Sequence, residues 1–460
     1  MSQTYTSKAM IKLDINFVFK RVSKIAFYAL YLAFIGLLFL RHYFGVDFSV
    51  VIYLALIALA CVFADKSDLI ALAISCVCLP SVFQYKYAVI IISVAYVVKN
   101  YPDFRYTVRY RRSNYGALVL LAVMMAWELI HVVIFDHSVS EYFRSFVEII
   151  FTFVLIVDAK KNFDYPHILR IAAFSAIASC ALILLIQMKF SSYSSIADYF
   201  AENRFGYGVE QYKNFDANFN PNGLGLICVV SASMLVSLIV TGKSKIADYF
   251  MLVALITFSL MTMSRKVILM YAILFAFTFL YLMNVKKRGV ARSLVYLALI
   301  MLAVLLVFVI LNSLLPTVMQ KFVSRFEVED ISNGREDLFG AYNELLANDL
   351  GVSLFGWGTQ GIDANHFAAG IKSVTHNGTQ EVMVCWGVEG LIIFAAYLVM
   401  LVRRSFNFKK NTLNFLVLAE VFAFSQFAQS IRSSLVMMFY ALAYINLCYD
   451  FGNGKATLER

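Results

Sequence analysis

Apolar runs of about 15–23 residues recur along almost the whole chain, and about 20 apolar residues in a helix are what it takes to cross a bilayer. Nothing else in the sequence limits the fold as tightly. A soluble domain carries about 45–50% apolar and about 25% charged residues. Here 61% of 460 residues are hydrophobic and 15% are charged, which excludes a soluble single-core protein, a disordered chain and a collagen-like chain. The expected class is an all-α polytopic membrane protein with about 14 transmembrane helices. Spans are placed near 25–41, 47–64, 69–84, 87–98, 116–135, 145–158, 168–188, 221–241, 247–263, 267–284, 293–315, 383–402, 412–428 and 434–450. The third and fourth are short, so tilt, re-entry or a different count stays open there.

Lysine and arginine give the orientation. With the N-terminus inside, every second loop is basic, from Lys20 and Arg21 through Arg111 and Arg112, Lys160 and Lys161, Lys286 and Lys287, to Arg403 and Arg404. This is the positive-inside pattern. It absorbs most of the net charge of +10, which therefore points to topology or anionic membrane lipids and not to nucleic acid. Both termini are expected in the cytoplasm. The chain then divides into a cytoplasmic segment 1–24, helices within 25–188, an outer loop 189–220, helices within 221–315, a large outer loop 316–382, helices within 383–450, and a tail 451–460. No small-residue cleavage site follows the first apolar run, so that run is expected to be a signal anchor. The seven cysteines all fall inside apolar runs. They read as small core residues, not as a disulfide framework or a thiolate metal site.

Both long outer segments contain amphipathic pieces. Leu338, Phe339, Tyr342, Leu345 and Leu346 share helical spacing, and Phe322 and Phe326 do so after Pro316. They predict helices on the outer membrane face, either roofing a site or packing on the bundle.

Polar groups at membrane depth are the candidates for chemistry. Arg265 sits between two apolar runs on the outer side, as an anion site or as an arginine snorkelling to the interface. Arg204 precedes Asn220, Pro221 and Asn222, residues suited to starting a helix whose N-terminus attracts anions. Arg335 opens the amphipathic segment, able to fork a phosphate or to pair with Glu336 or Asp337. His376 stands at the outer end of the twelfth span, a general base or a structural loop histidine. Glu128 and His131 share one face of the fifth span, as a proton relay or as a satisfied internal hydrogen bond. There is no HExxH, DxD, P-loop or GxSxG.

Four pieces in this order resemble the O-antigen ligase and polymerase superfamily of bacterial envelope glycosyltransferases. They are Arg204 with the following NPN at 220–222, SR at 264–265, GREDLFGAYNELLAND with LFGWGTQGID at 354–363, and THNGTQEVMVCWGVEGLIIF from Thr375. The resemblance covers about residues 200–400; the N-terminal 200 match only in being hydrophobic. It implies a GT-C-like bundle in the bacterial inner membrane, with both long loops periplasmic. It implies transfer of a glycan from undecaprenyl pyrophosphate to an acceptor hydroxyl, without nucleotide sugar, metal or other cofactor. Carried over by position, Arg204, Arg265 and Arg335 bind the pyrophosphate and stabilise its leaving charge, with Asn222 and Asn377 beside them. His376 is the base toward the acceptor hydroxyl or positions it. Tyr207 and Trp357 stack on sugar rings or anchor at the interface.

The implied activity is polymerisation of lipid-linked repeat units, since polymerases are the more divergent group and the motifs here are kept loosely. The alternative is a ligase moving the glycan to lipid A core. Flippase and chain-length regulator proteins are the implied partners. A reading of another class, a lipid-linked oligosaccharide flippase, predicts repeats and midplane polar residues in both halves, and neither stands out.

Overall fold

The computed structural model describes residues 3–79, 86–102, 104–105, 115–158, 163–190, 205–206, 221–284, 289–324, 335–403, 412–427, 433–449 and 451. Among these there are nineteen α-helices and no β-strand. The first eight are α1 (Gln3–Phe44), α2 (Val50–Phe63), α3 (Lys66–Cys78), α4 (Lys86–Lys99), α5 (Tyr115–Ile134), α6 (Val139–Ser145), α7 (Val147–Val157) and α8 (Tyr165–Phe190). The central ones are α9 (Pro221–Thr241), α10 (Ile246–Met261), α11 (Arg265–Asn284), α12 (Val290–Leu314) and α13 (Pro316–Ser324). The last are α14 (Arg335–Asn348), α15 (Leu350–Leu354), α16 (Gly358–Ala368), α17 (Gly378–Arg403), α18 (Leu416–Ser425) and α19 (Ser434–Cys448).

Among the described residues, each apolar run of the sequence falls on a helix. Seven helices are long and apolar enough to cross a membrane. The others are shorter: α2 has 14 residues and so rises about 21 Å, less than the ~30 Å of a hydrocarbon core. The third run shows how local chemistry moves a boundary. It was expected over 69–84, yet α3 starts at Lys66 and ends at Cys78. Asp65 and Asp68 form a capping box at its start, Asp65 Oδ1 accepting from Ser67 N and Asp68 N at 2.8 and 2.9 Å. At its end Leu79 is extended (φ −89°, ψ 141°), as the residue before a proline prefers.

The core is organised around α9, which is buried over 83% of its apolar window and packs on α8, α10, α11 and α18. α12 is the opposite case. It is buried over 13% of its window, with Leu299, Leu302, Leu305, Leu306 and Ile310 about half exposed. Each such side chain left in water would cost on the order of 1 kcal/mol, so a chain with this surface belongs in a membrane.

Two polar ends bracket this core. At one, Asp68 at the start of α3 takes Lys24 Nζ and His167 Nε2, each at 2.6 Å. Arg170 at the start of α8 forks onto Asp248 at the start of α10, at 2.8 and 2.9 Å. At the other end α9, α11 and α17 begin and α18 finishes. α8 and α10 thus begin at one end and α9 and α11 at the other. All seven cysteines are buried and unbridged.

Candidate functional site

The second polar end is assembled from four helix termini. Pro221 opens α9, where a missing N–H costs nothing, and Asn222 Oδ1 accepts from Ser264 Oγ at 2.9 Å. Ser264 belongs to the tight α10–α11 turn, in which Met263 has φ 50°. The turn lies this close to α9 because of Gly225. A Cβ there would stand 2.8 Å from Val267 Cγ2 and 3.3 Å from Thr262 Oγ1.

Arg265, the first residue of α11, is half-buried at this turn. Next to it, Lys266 Nζ donates to the carbonyl oxygen of Phe427 beyond α18 and lies 4.7 Å from the Phe424 ring centroid. One residue back, Gln426 Oε1 accepts from Thr379 Oγ1 at 2.7 Å. Thr379 is in the first turn of α17, whose cap is Asn377: its Oδ1 accepts from Thr379 N and Gln380 N, both at 3.0 Å. His376 precedes the cap and is exposed. Three hydrogen bonds, Ser264 to Asn222, Lys266 to Phe427 and Thr379 to Gln426, therefore tie the starts of α9, α11 and α17 to the end of α18, and Arg265, His376 and Asn377 lie at that end as their neighbours in sequence. Three helix N-termini and the cations Arg265 and Lys266 meet there, opposed by the C-terminus of α18 and by the buried Glu381 in the first turn of α17.

The approach to α17 is clamped by α14. Gln380 Nε2 donates to Phe339 O and Asn343 Oδ1, both at 2.9 Å, and Tyr342 OH donates to Ser373 O at 3.1 Å. Tyr342 is fully buried and Leu338, Leu345 and Leu346 pack inward with it, while Phe339 stays 45% exposed. The amphipathic stripe seen in the sequence is thus the face that docks α14 onto the bundle. Arg335 is the first residue of α14, and its side chain lies outside the described residues, as do Arg204 and Tyr207. Between the last two, Phe205 is buried and stacks on Phe258 at 5.6 Å. Gly206 N donates to Gln187 Oε1 at 3.4 Å.

A second junction explains the glycines of the two longest motifs. α17 kinks at Gly387 (φ 69°, ψ −170°), and the LFGWG segment crosses it backbone to backbone. A Cβ on Gly387 would lie 1.8 Å from Leu354 O, and one on Gly356 would lie 2.4 Å from the Cys385 carbonyl carbon. Trp357 N donates to Val384 O at 2.9 Å. The Trp357 ring is half-buried against the core, so it forms a wall of this junction.

Glu128 locks the same junction. It is wholly buried and accepts from Thr359 N at 3.0 Å, Thr359 Oγ1 at 2.5 Å and Trp386 Nε1 at 2.6 Å. His131 bonds Trp127 O at 2.8 Å and Phe355 O at 2.5 Å. With its oxygens held by three donors, Glu128 fits the satisfied internal bond and not a relay.

Sequence reasoning did not single out Thr379, Gln380 or Gln426 as links in this end. They are uncharged, and no spacing marks them. Among the described residues no group of three or more His, Cys, Asp or Glu side chains is arranged to hold a metal. The chemistry available is that of cations, helix termini, amides and an imidazole, a set suited to an anionic headgroup beside a hydroxyl. Compared with protein-family models and with curated proteins, the chain matches none.

Proposed function

We propose that the chain is an inner-membrane glycosyltransferase of the O-antigen polymerase type. It joins undecaprenyl-pyrophosphate-linked repeat units to one another on the periplasmic face, within a GT-C-like bundle of about 14 spans. One observation carries this reading. The bonds of Ser264 to Asn222, Lys266 to Phe427 and Thr379 to Gln426 gather the start of α11, with Arg265, and the start of α17, with His376, at one end.

In this reaction the acceptor hydroxyl oxygen attacks the anomeric carbon of the donor glycan. The bond from that carbon to the pyrophosphate oxygen breaks, the diphosphate leaves on its lipid, and the hydroxyl proton passes to His376. Arg265 and the helix termini stabilise the negative charge that grows on the diphosphate. Arg204 and Arg335 complete the cation set in this proposal. A positioned base is worth about 10²–10⁴-fold.

Complementation of a deletion strain tests this. With His376→Ala or Arg265→Ala, surface polysaccharide is expected to stop at one repeat on the core while membrane insertion is unchanged. Chains of wild-type length with either variant sink the assignment. Bare core with stored lipid-linked polymer in the deletion strain identifies a ligase instead.

A further inference from the structure

Glu420 stands in the middle of α18 and has no exposed surface. Ser233 Oγ of α9 donates to its Oε1, and among the described residues its Oε2 has no partner and no cation pairs with it. α18 packs on α9, α11 and α19. α9 and the turn Thr412–Phe415 before α18 carry no charged residue. Tyr271 of α11 and Tyr165 of α8 lie close enough to feel the carboxyl, but both hydroxyls are engaged elsewhere. Tyr271 OH bonds Ser259 Oγ at 2.7 Å, and Tyr165 OH donates to Asn446 Oδ1. On α19, Tyr440 OH bonds Ser425 Oγ at 3.4 Å. The other enclosed acids are served differently: Asp248 has the Arg170 fork, and Glu128 has the donors of Thr359 and Trp386. An ionised Glu420 would be a charge in the core with one neutral donor. That is far costlier than a neutral carboxyl with one hydrogen bond unmade.

α9 carries a series of hydroxyls that ends on this acid. Ser233, Ser237 and Thr241 follow one another at one-turn spacing and share a face. Ser237 Oγ donates to Ser233 O at 2.9 Å, and Thr241 Oγ1 to Ser237 O at 2.7 Å. Such back-bonding is ordinary for serine and threonine in a helix; what sets this series apart is the buried acid at its inner end. Ser233 and Ser237 are buried, Thr241 is half-buried and Gly242 is exposed. The series therefore opens at the end where Arg170 Nη2 donates to Lys243 O at 2.9 Å. Ser233 lies about 12 Å from Thr241 along α9, at about 1.5 Å per residue. In the other direction the same spacing meets the buried Val229 and then Gly225, so no hydroxyl leads from Glu420 toward the Arg265 end along this face.

We propose that Glu420 is a proton-binding site inside the bundle, loaded and emptied from the Arg170 and Asp248 end along the α9 hydroxyls. The proton leaves hydronium at Thr241 and passes Ser237 and Ser233 to a carboxylate oxygen of Glu420, which becomes the neutral acid. Hydroxyls about 5–6 Å apart are one bridging water from each other. Because the core offers the ionised form no cation, the loaded form is the resting one. Glycan transfer plays no part in this site.

Infrared spectra of full-length protein in lipid nanodiscs at neutral pH test it. The difference between wild type and Glu420→Gln is expected to contain the C=O stretch of a protonated carboxyl, shifted in D2O. Carboxylate stretches in its place overturn the site. Glu420→Asp, which moves that band instead of deleting it, makes the same assignment if the glutamine variant fails to fold. Exchanging choline chloride for sodium chloride at constant pH is expected to leave the band unchanged; its conversion to carboxylate stretches identifies a metal-cation site and overturns the proton. After rapid transfer to D2O, Ser237→Ala combined with Thr241→Val is expected to slow the isotope shift of the band by about tenfold. Ser231→Ala, which removes a buried α9 hydroxyl off this face, is expected to leave the rate at the wild-type value. An unchanged rate in the double variant, or equal slowing in Ser231→Ala, overturns the route. Loosened packing speeds exchange, so a folding defect does not imitate the expected slowing.

Discussion

Replacing Gly387 by alanine is expected to part the two glycine-rich segments without unfolding the bundle. The residue has φ 69° and ψ −170°, a conformation that costs an L-residue about 1–3 kcal/mol. The new Cβ would also stand 1.8 Å from Leu354 O, 2.2 Å from Leu354 C and 2.7 Å from Phe355 N. These are backbone atoms, so no rotamer change relieves the contact, and overpacking of this kind costs about 1–3 kcal/mol more. The sum, about 2–6 kcal/mol, falls on a crossing whose direct bonds are Trp357 N to Val384 O and His131 to Phe355 O, while the Glu128 bonds to Thr359 and Trp386 hold the flanks in place. The segment 354–358 should therefore lift off α17. Cys385 reports it, because its thiol is buried and Gly356 packs against its backbone. Maleimide labelling followed by mass spectrometry should find Cys385 reactive in Gly387→Ala and silent in the wild type. The midpoint of thermal unfolding, read with a thiol-reactive dye, should fall. Gly340→Ala is the control: a Cβ there meets nothing within 4 Å, and alanine in α14 is neutral or stabilising by up to about 1 kcal/mol. A Gly387→Ala protein with an unreactive Cys385 and a wild-type midpoint refutes the crossing.

Glu128→Gln keeps the shape but sets an amide N–H against the donors of Thr359 or Trp386, so unfolding should come about 1–3 kcal/mol earlier; an unshifted midpoint removes Glu128 from the lock. Arg170→Met strands Asp248, which is fully buried. The loss should be about 3 kcal/mol, the low end for a broken buried pair, because Lys245 N still donates to Asp248 Oδ2 at 2.7 Å. Adding Asp248→Asn should recover most of it, and no recovery excludes the pair as the cause. Burial, with His131 nearby adding to it, holds His137 below the usual imidazole range. The neutral ring is the form the fold favours, so this contribution is present above the ordinary histidine range and fades as pH falls through the lowered value. Hydrogen exchange at the start of α16, where Ser138 and Gln360 bond reciprocally at 2.9 and 3.0 Å, should speed up below about pH 6 after correction for intrinsic rates. A flat profile, or the same profile in His137→Gln, rules the histidine out.

The helices were legible where one stretch of chain determines them. α9 runs Pro221–Thr241, the limits that the apolar run and its opening proline predict, and α5 differs from expectation by one residue at each end. What stayed hidden depends on residues far apart in sequence. The partners of Glu128 lie at Thr359 and Trp386, 231 and 258 positions away. The kink at Gly387 exists because Leu354 lies across it, and nothing within α17 announces that. The site was half legible for the same reason. Arg265 and His376 stand out as charge and imidazole among apolar neighbours, while Gln426 and Thr379, which tie their helices together, look like any polar residues at a helix end.

Burial and partners sort the charged groups that composition alone leaves equivalent. Glu128 and Asp248 have no exposed surface, and each is held by donors from other segments. A carboxylate so enclosed has no room for a ligand, and its removal should cost stability first. Arg265 is half-buried and His376 exposed, at helix starts whose position is set by neighbours: Gly225 and Asn222 for the first, Asn377 and Gln380 for the second. Substituting these two should therefore leave the unfolding midpoint near wild type and change activity, whereas Gly225 and Gln380 variants should move both. A midpoint that drops as far in His376→Ala as in Gln380→Ala would place the imidazole with the supports and take it out of the chemistry.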